Sequence, residues 1–238
     1  MPLIVLWDID HTLIDNAGVS KEIYAAAYTA LAGTPPARPA TTEGRTDRLI
    51  MRDMLLEHGK PEPAWETVEA ALARAGEDRL GELRERGTVL PGVRGALKAA
   101  SAQDSWVSSV LTGNIMSNAR VKLSAFGLDR LLDMPVGGYG ADAEQRPALV
   151  DVARQRIRNH RHLPDGTTVV LVGDTPRDVE AALMSGAEVI AVATGSHTQA
   201  ELAAAGARVV LPDLSDAAGV LQLLKALAEP QVPGAMSG

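Results

Sequence analysis

Three carboxylates stand where the chain would bring them to a substrate. Asp8 and Asp10 follow a short apolar run, Leu3 to Trp7. Asp174 follows a second one, Thr168 to Val172, with Asp178 one helical turn further on. On an extended chain side chains alternate with period two, so Asp8 and Asp10 point the same way. Carboxylates gathered in one cleft repel unless a cation lies among them. Hard oxygen ligands with no His or Cys beside them favour magnesium over zinc. Other groups fall at the same rim: Thr112, Gly113 and Asn114 after the run Val107 to Leu111, and Arg146 after the glycine-rich stretch Gly137 to Gly140. A single Asp at a strand end is as well explained by turn capping. Three at consistent strand ends, joined by a hydroxyl and a cation, point to a site. For Arg146 the alternative is a solvated residue at a helix start, and for His11 a structural histidine.

The elements that must hold these residues alternate. Leu3 to Trp7 reads as a strand buried on both faces, as in a parallel sheet. Further strands are expected at Val107–Leu111, Leu131–Val136, Thr168–Val172, Val189–Val192 and Val209–Leu211. Helices are expected at Gly92–Ala102, Ile115–Phe126, Pro147–Arg158, Arg177–Ser185 and Ser215–Ala228. Strands alternating with helices imply an α/β protein with a doubly wound parallel sheet, whose ligands bind beyond the carboxyl ends of the strands. Between Asn16 and Gly87 the pattern is helical with no convincing strand: a helix N-capped by Ser20, one over Thr46–His58, and one over Pro63–Arg86 weakened at Gly76 and Gly81. The chain thus divides into a core of residues 1–15 and 88–228, a helical insertion of residues 16–87, and a tail, 229–238, without expected order.

Asp8-Ile9-Asp10-His11-Thr12-Leu13 resembles the first motif of the haloacid dehalogenase superfamily, Asp-x-Asp-x-Thr. Leu111-Thr112-Gly113-Asn114 is similar to its second motif, and Gly173-Asp174-Thr175-Pro176-Arg177-Asp178 to its fourth. A helical insertion directly after the first motif resembles the cap domain of the phosphoglycolate-phosphatase-like branch. The resemblance implies a Rossmann-like core and a magnesium-dependent phosphatase acting on a small phosphate monoester through an aspartyl-phosphate. It makes Asp8 the nucleophile and Asp10 the group that protonates the leaving oxygen and later activates water. Thr112 would hold phosphoryl oxygens, with Thr12, Gly113 and Asn114 also in contact with substrate. Asp174 would bind Mg²⁺ with Asp8 and the Asp10 backbone carbonyl, and Asp178 would be a ligand or its support. The family usually has Lys at its third motif; Arg146 occupies that position here, and Lys122 or Arg120 are the alternatives for that role. His11 is a second departure, since many members place Gly there.

Other functions share parts of this pattern. A dehalogenase also uses an Asp nucleophile but typically lacks the second Asp, and a phosphomutase uses the same motifs. A phospho-accepting signalling module also gathers acids, a Thr and a cation, but it is much shorter and has no such insertion. An inactive phosphate-binding descendant would be expected to have lost Asp8 or Asp10. Substrate choice is expected to lie in the insertion, where Arg45, in Gly44-Arg45-Thr46-Asp47, could meet a second anionic group.

Composition bounds the partners. The formal net charge is −7 and aromatics are only 3%, so the chain repels phosphate backbones and has little on which to stack bases. No nucleic acid partner is expected; a small phosphorylated metabolite is, because a local cationic pocket can override the global field. With no cysteine in 238 residues, thiolate chemistry is excluded and a reducing cytoplasm is the expected location. No apolar run approaches the roughly 20 residues of a membrane span, and a monomer or homodimer is expected.

Overall fold

All five residues of strand β1 (Leu3–Trp7) are buried, because the strand is central. It pairs in parallel with β4 (Trp106–Thr112) on one side and β6 (Thr168–Gly173) on the other. The computed structural model describes residues 1–161 and 163–229. The expected tail, 229–238, falls almost wholly outside them. In chain order the remaining elements are β2 (Ile14–Asp15), α1 (Val19–Ala32), α2 (Asp47–Glu57), α3 (Trp65–Glu77), α4 (Leu80–Arg86), β3 (Thr88–Val89) and α5 (Val93–Ser101). After β4 come α6 (Met116–Ala125), β5 (Gly138–Tyr139) and α7 (Arg146–Arg161). After β6 come α8 (Pro176–Met184), β7 (Glu188–Val192), α9 (Gln199–Ala204), β8 (Val209–Leu211) and α10 (Ala217–Ala228). The main sheet runs β5-β4-β1-β6-β7-β8, every pair parallel.

The period of two sorts the strand residues between two apolar layers. Leu3, Val5 and Trp7 pack with Val93 and Leu97 of α5, Leu123 of α6 and Leu224 of α10. Ile4 and Leu6 pack with Leu149 and Ile157 of α7 and Val179 of α8. This is the expected α/β architecture, helices covering both faces of a parallel sheet. A third cluster belongs to the insertion: Ile23, Tyr28, Ile50, Met54, Leu72 and Leu83 from α1 to α4, together with Ile115, and with Val121 and Ala125 of α6 packed against it. Helix α6 is therefore shared, one side on the sheet and the other on the insertion. Among the described residues no helix is long and apolar enough to cross a membrane.

Several local expectations are corrected. The strand expected at Leu131–Val136 is instead two 3-10 turns, Asp129–Leu131 and Met134–Val136. Pro135 has no N–H for a ladder, and the Asp133 backbone is already engaged, its N–H on Ser108 O and its carbonyl by the Ser109 hydroxyl. The strand moves to Gly138–Tyr139, where a Cβ on Gly138 would lie 2.4 Å from the Leu149 carbonyl. Ser20 is not an N-cap. The helix starts after Gly18, whose φ is +82°, and the Asn16 side-chain oxygen accepts from the Gly18 and Ser20 N–H groups. The helical stretch after Pro63 breaks at Asp78–Arg79 rather than at either glycine. Residues Ile14–Asp15 and Thr88–Val89 pair as a two-stranded antiparallel ribbon where the chain leaves and re-enters the core.

Candidate active site

Asp8 is the first residue beyond β1, and its N–H still bonds the Val172 carbonyl of β6 at 2.9 Å. The strand direction then ends. His11 adopts φ +60°, and the Leu13 and Ile14 N–H groups both turn back onto the Ile9 carbonyl. A non-glycine residue in the left-handed region is uncommon and marks a constrained turn. The two acids that an extended chain would align have different charge partners. The Asp10 carboxylate lies beside α6, where Oδ1 and Oδ2 take the Lys122 ammonium at 2.9 and 2.6 Å. Asn114 Nδ2 donates to it at 2.8 Å, Asn16 Nδ2 at 2.7 Å and the Ser20 hydroxyl at 3.3 Å. The carboxylates that gather are Asp8, Asp174 and Asp178, all buried, with one oxygen from each within 4.8 Å of the others. Asp10 lines the same cleft as Asp8 and Asp174 without its carboxylate joining this group.

Local sequence fixes the rest of the cluster. Thr175 caps α8 and exchanges hydrogen bonds with Asp178, the reciprocal arrangement of a capping box. One Asp178 oxygen is thereby tied to the helix start, while Oδ1, among the described residues, accepts no hydrogen bond and has a charge partner in Arg146 Nη2 at 2.6 Å. The same guanidinium nitrogen lies 2.8 Å from Asp8 Oδ1. Arg146 starts α7 and is 6% exposed, so the alternative of a solvated helix-start residue is not what the structure holds. Thr12 is buried and donates to Asp174 Oδ1 at 3.0 Å; it orients an acid. Thr112 Oγ1 accepts from Asn114 Nδ2 at 2.7 Å.

A cleft of about 330 Å³ opens over these groups. Asp8, Asp10, Thr112, Gly113, Asn114, Arg146 and Asp174 line one side, and Lys21, Tyr24 and Thr42 to Arg45 of the insertion line the other. Arg45 is there as expected, but its guanidinium is already paired with Asp53 of α2. Asp178 is fully buried behind Arg146. His11 is exposed at the mouth.

The charges are unevenly balanced. Burial pushes the Asp8 carboxyl up to about 7, with the Asp178 and Asp10 charges adding to the rise and Arg146 opposing it. Burial likewise raises Asp174, and the Asp8 and Asp178 carboxylates raise it further. For Asp10 burial also acts upward, but Lys122 and the hydrogen bonds from Asn114 and Asn16 outweigh it and hold the carboxyl at about 2. One cation against three buried acids leaves a deficit of positive charge. An all-carboxylate donor set with an unbonded Asp178 oxygen fits a hard divalent cation.

Sequence reasoning gave Lys122 no role at Asp10 and did not find the Asp47 link. Asp47 is 1% exposed, accepts from the Tyr24 hydroxyl at 2.6 Å and from the Ile115 N–H at 2.8 Å, and burial raises it to about 6. A signal for Lys122 was present: Asn118 and Lys122 stand four residues apart on one face of α6, and Asn114 precedes them at the same spacing.

Residues 5–183 match the family described as haloacid dehalogenase-like hydrolase. A Dickeya dadantii (strain 3937) protein named probable phosphatase IndB is 29% identical over 147 residues, 61% of this chain and 61% of that one; the chain thus spans less than two thirds of that relative's length. Among solved structures, a hydrolase from Pseudomonas syringae superposes with a TM-score of 0.66 at 20% identity, covering 96% of this chain and 100% of that one. CbbY from Rhodobacter sphaeroides, in complex with phosphate, superposes with a TM-score of 0.65 at 19% identity, covering 93% and 100%. At these identities the structures speak to the fold, and they cover the helical insertion as well as the sheet.

Proposed function

The chain belongs to the haloacid dehalogenase-like hydrolases, and on that premise we propose that it is a magnesium-dependent phosphatase of small phosphate monoesters, with Asp8 as nucleophile. The observation that carries the reading is the Asp8 carboxylate at the end of the central strand, opening on the cleft and flanked by Arg146, Asp174 and Asp178. The phosphatase name of the Dickeya relative and the phosphate in the CbbY structure point the same way.

In this reading Asp8 Oδ attacks phosphorus, the bond from phosphorus to the ester oxygen breaks, and that oxygen leaves with the proton of a monoanionic ester, passed on by Asp10, which Lys122 holds ionised before substrate binds. Water then attacks the aspartyl-phosphate, Asp10 takes a proton from it, and orthophosphate leaves with Asp8 restored. Arg146 neutralises part of the charge on Asp8 and the phosphoryl oxygens. Thr112 and the backbone at Gly113 and Asn114 are placed to hold those oxygens. Asp8, Asp174, Asp178 and the Asp10 carbonyl would hold Mg²⁺, which supplies charge neutralisation at the transferring group. Residues 1–15 and 88–228 then carry the chemistry, and residues 16–87 form the cap that faces the leaving group. Asp10 as a second Asp and the carboxylate cluster around Asp174 favour phosphoryl transfer over dehalogenation.

The test is phosphate release from p-nitrophenyl phosphate with Mg²⁺, with excess chelator, and for Asp8→Asn. We expect metal-dependent turnover and a folded but inactive variant that incorporates no phosphate into protein. Turnover by Asp8→Asn near the parent rate, or full activity in chelator, would overturn the reading.

A further inference from the structure

Helix α6 is packed on both sides, against the sheet and against the insertion, and an apolar residue would serve either contact. At Lys122 it instead carries an ammonium on a side chain that is 2% exposed. A buried charge is tolerated only where its partners are close and complete. All of them belong to the site: Asp10 Oδ1 at 2.9 Å, Asp10 Oδ2 at 2.6 Å and Asn114 Oδ1 at 2.6 Å. Three donors thus meet three acceptors, the full capacity of a lysine. Holding Asn114 by its oxygen also fixes which way its amide points, with Nδ2 on Asp10 and on Thr112 Oγ1.

We propose that Lys122 is a positioning residue for the reaction: it fixes where the Asp10 carboxyl group stands relative to the ester oxygen, and through Asn114 it aligns Thr112. Arg146 serves Asp8 and Asp178, and Lys122 serves Asp10, so the site has two cations with separate duties. This rests on the reading of Asp10 as the group that exchanges a proton with the leaving oxygen. The consequence is specific. Misplacing Asp10 should matter most where the leaving oxygen is basic and needs its proton, and least where it departs readily as an anion.

The experiment measures kcat/KM, which reports transfer to Asp8, for aryl phosphates running from p-nitrophenyl to phenyl phosphate. The parent, Lys122→Met, Asp10→Asn and the double variant are compared. For Lys122→Met we expect a loss of about tenfold or more on phenyl phosphate and about twofold or less on p-nitrophenyl phosphate, within the range of proton-transfer assistance. In the Asp10→Asn background the same substitution should change either rate by less than about twofold, since both act on one step. A loss equal for all esters, or the same factor with and without Asp10, would overturn the proposal and leave Lys122 a packing residue. The chain has no other cysteine, so Lys122→Cys can be alkylated with 2-bromoethylamine while unfolded and then refolded. Return of the parent's leaving-group dependence supports the proposal even if Lys122→Met does not fold; a refolded, alkylated protein with the steep dependence retained overturns it. A parent without metal-dependent activity, or an active Asp8→Asn, would instead strike the phosphatase reading itself.

Discussion

Burial and neighbouring carboxylates hold the Asp8 carboxyl at about 7 and raise Asp174 as well, and this has a sign that can be measured without turnover. In the unfolded chain Asp8 titrates near 3.8. Between that value and about 7 the folded protein binds more protons than the unfolded one, so stability falls as pH rises through this window. Asp47, raised by burial to about 6, acts in the same direction. Asp10 acts oppositely: held at about 2 against burial by Lys122 and its hydrogen bonds, its contribution is present above pH 4 and lost as pH falls towards 2. In excess chelator the unfolding temperature should therefore be higher at pH 5 than at pH 8. Magnesium should raise it at pH 8 and do little at pH 5, where protons compete; occupancy at one hundred times the dissociation constant stabilises by about 2.7 kcal/mol. Asp8→Asn should shrink both effects. Thermal unfolding by circular dichroism decides it: a magnesium response identical in Asp8→Asn, or no fall in the unfolding temperature between pH 5 and pH 8, would remove Asp8 from the metal cluster.

At the scale of elements, the site depends on backbones that approach closely. The Asp47 N–H bonds the Gly113 carbonyl at 2.7 Å, and a Cβ on Gly140 would stand 1.7 Å from that carbonyl and 2.9 Å from the Asp47 nitrogen. Both obstacles are main chain, so the clash cannot be relieved by a rotamer. Gly140→Ala should cost about 1–3 kcal/mol, read as a lower urea midpoint, and should depress activity by shifting the loop after β4. Gly81→Ala lies in α4 with nothing within 4 Å of the new methyl. It should be neutral or stabilise by up to about 1 kcal/mol. Equal midpoints for the two variants would show that the close approach is not required. These contacts explain what could be read from sequence. The strands β1, β6 and β7 are nearly continuous apolar runs and β4 is apolar at both ends of its serine pair, and Asp8, Thr112 and Asp174 stand at or just after such strands, so the sheet and the places of these three were legible. The partners of the Asp10 side chain were not, because Lys122, Asn114 and Asn16 reach it from elsewhere in the chain. The strand at Gly138–Tyr139 was not, because its two residues are set by packing against α7 and not by β propensity. Helix α9 was not expected either, although Thr198 and Glu201 form a capping box at its start; a short helix with one buried leucine carries almost no periodicity.

For the whole molecule, the question is how firmly the insertion is joined to the core. The two crossings are paired through the ribbon of Ile14–Asp15 with Thr88–Val89, which couples their movements. Beyond them the start of α2 is bonded to core loops: Thr46 Oγ1 donates to the Glu144 carbonyl, Arg48 Nε to the Ala141 carbonyl, and Asp47 accepts from Ile115 N–H. Asn118 of α6 donates to the Leu72 carbonyl in α3. Rotation of the insertion about the crossings at residues 16–20 and 88–91 must break these bonds or carry α6 with it. The wall formed by Thr42 to Arg45 is thus held in place beside the reacting groups, and selectivity should follow its charge. Arg45 is the cation of that wall, yet its charge is engaged by Asp53, whose carboxylate is about one third exposed. A partly exposed pair of this kind is worth about 1 kcal/mol or less, so releasing it should be tolerated by the fold. Asp53→Asn should raise kcat/KM for a phosphate ester that also carries a carboxylate by about fivefold relative to p-nitrophenyl phosphate, the factor that about 1 kcal/mol represents. Arg45→Ala should lower the same ratio, while Asp10→Asn should lower the rates for both esters. Measuring the two substrates side by side in the three variants separates selectivity from chemistry. An unchanged ratio in both Asp53→Asn and Arg45→Ala would mean that the guanidinium does not face the leaving group, and that Lys21 on α1, the other cation of the insertion's wall, is the next candidate.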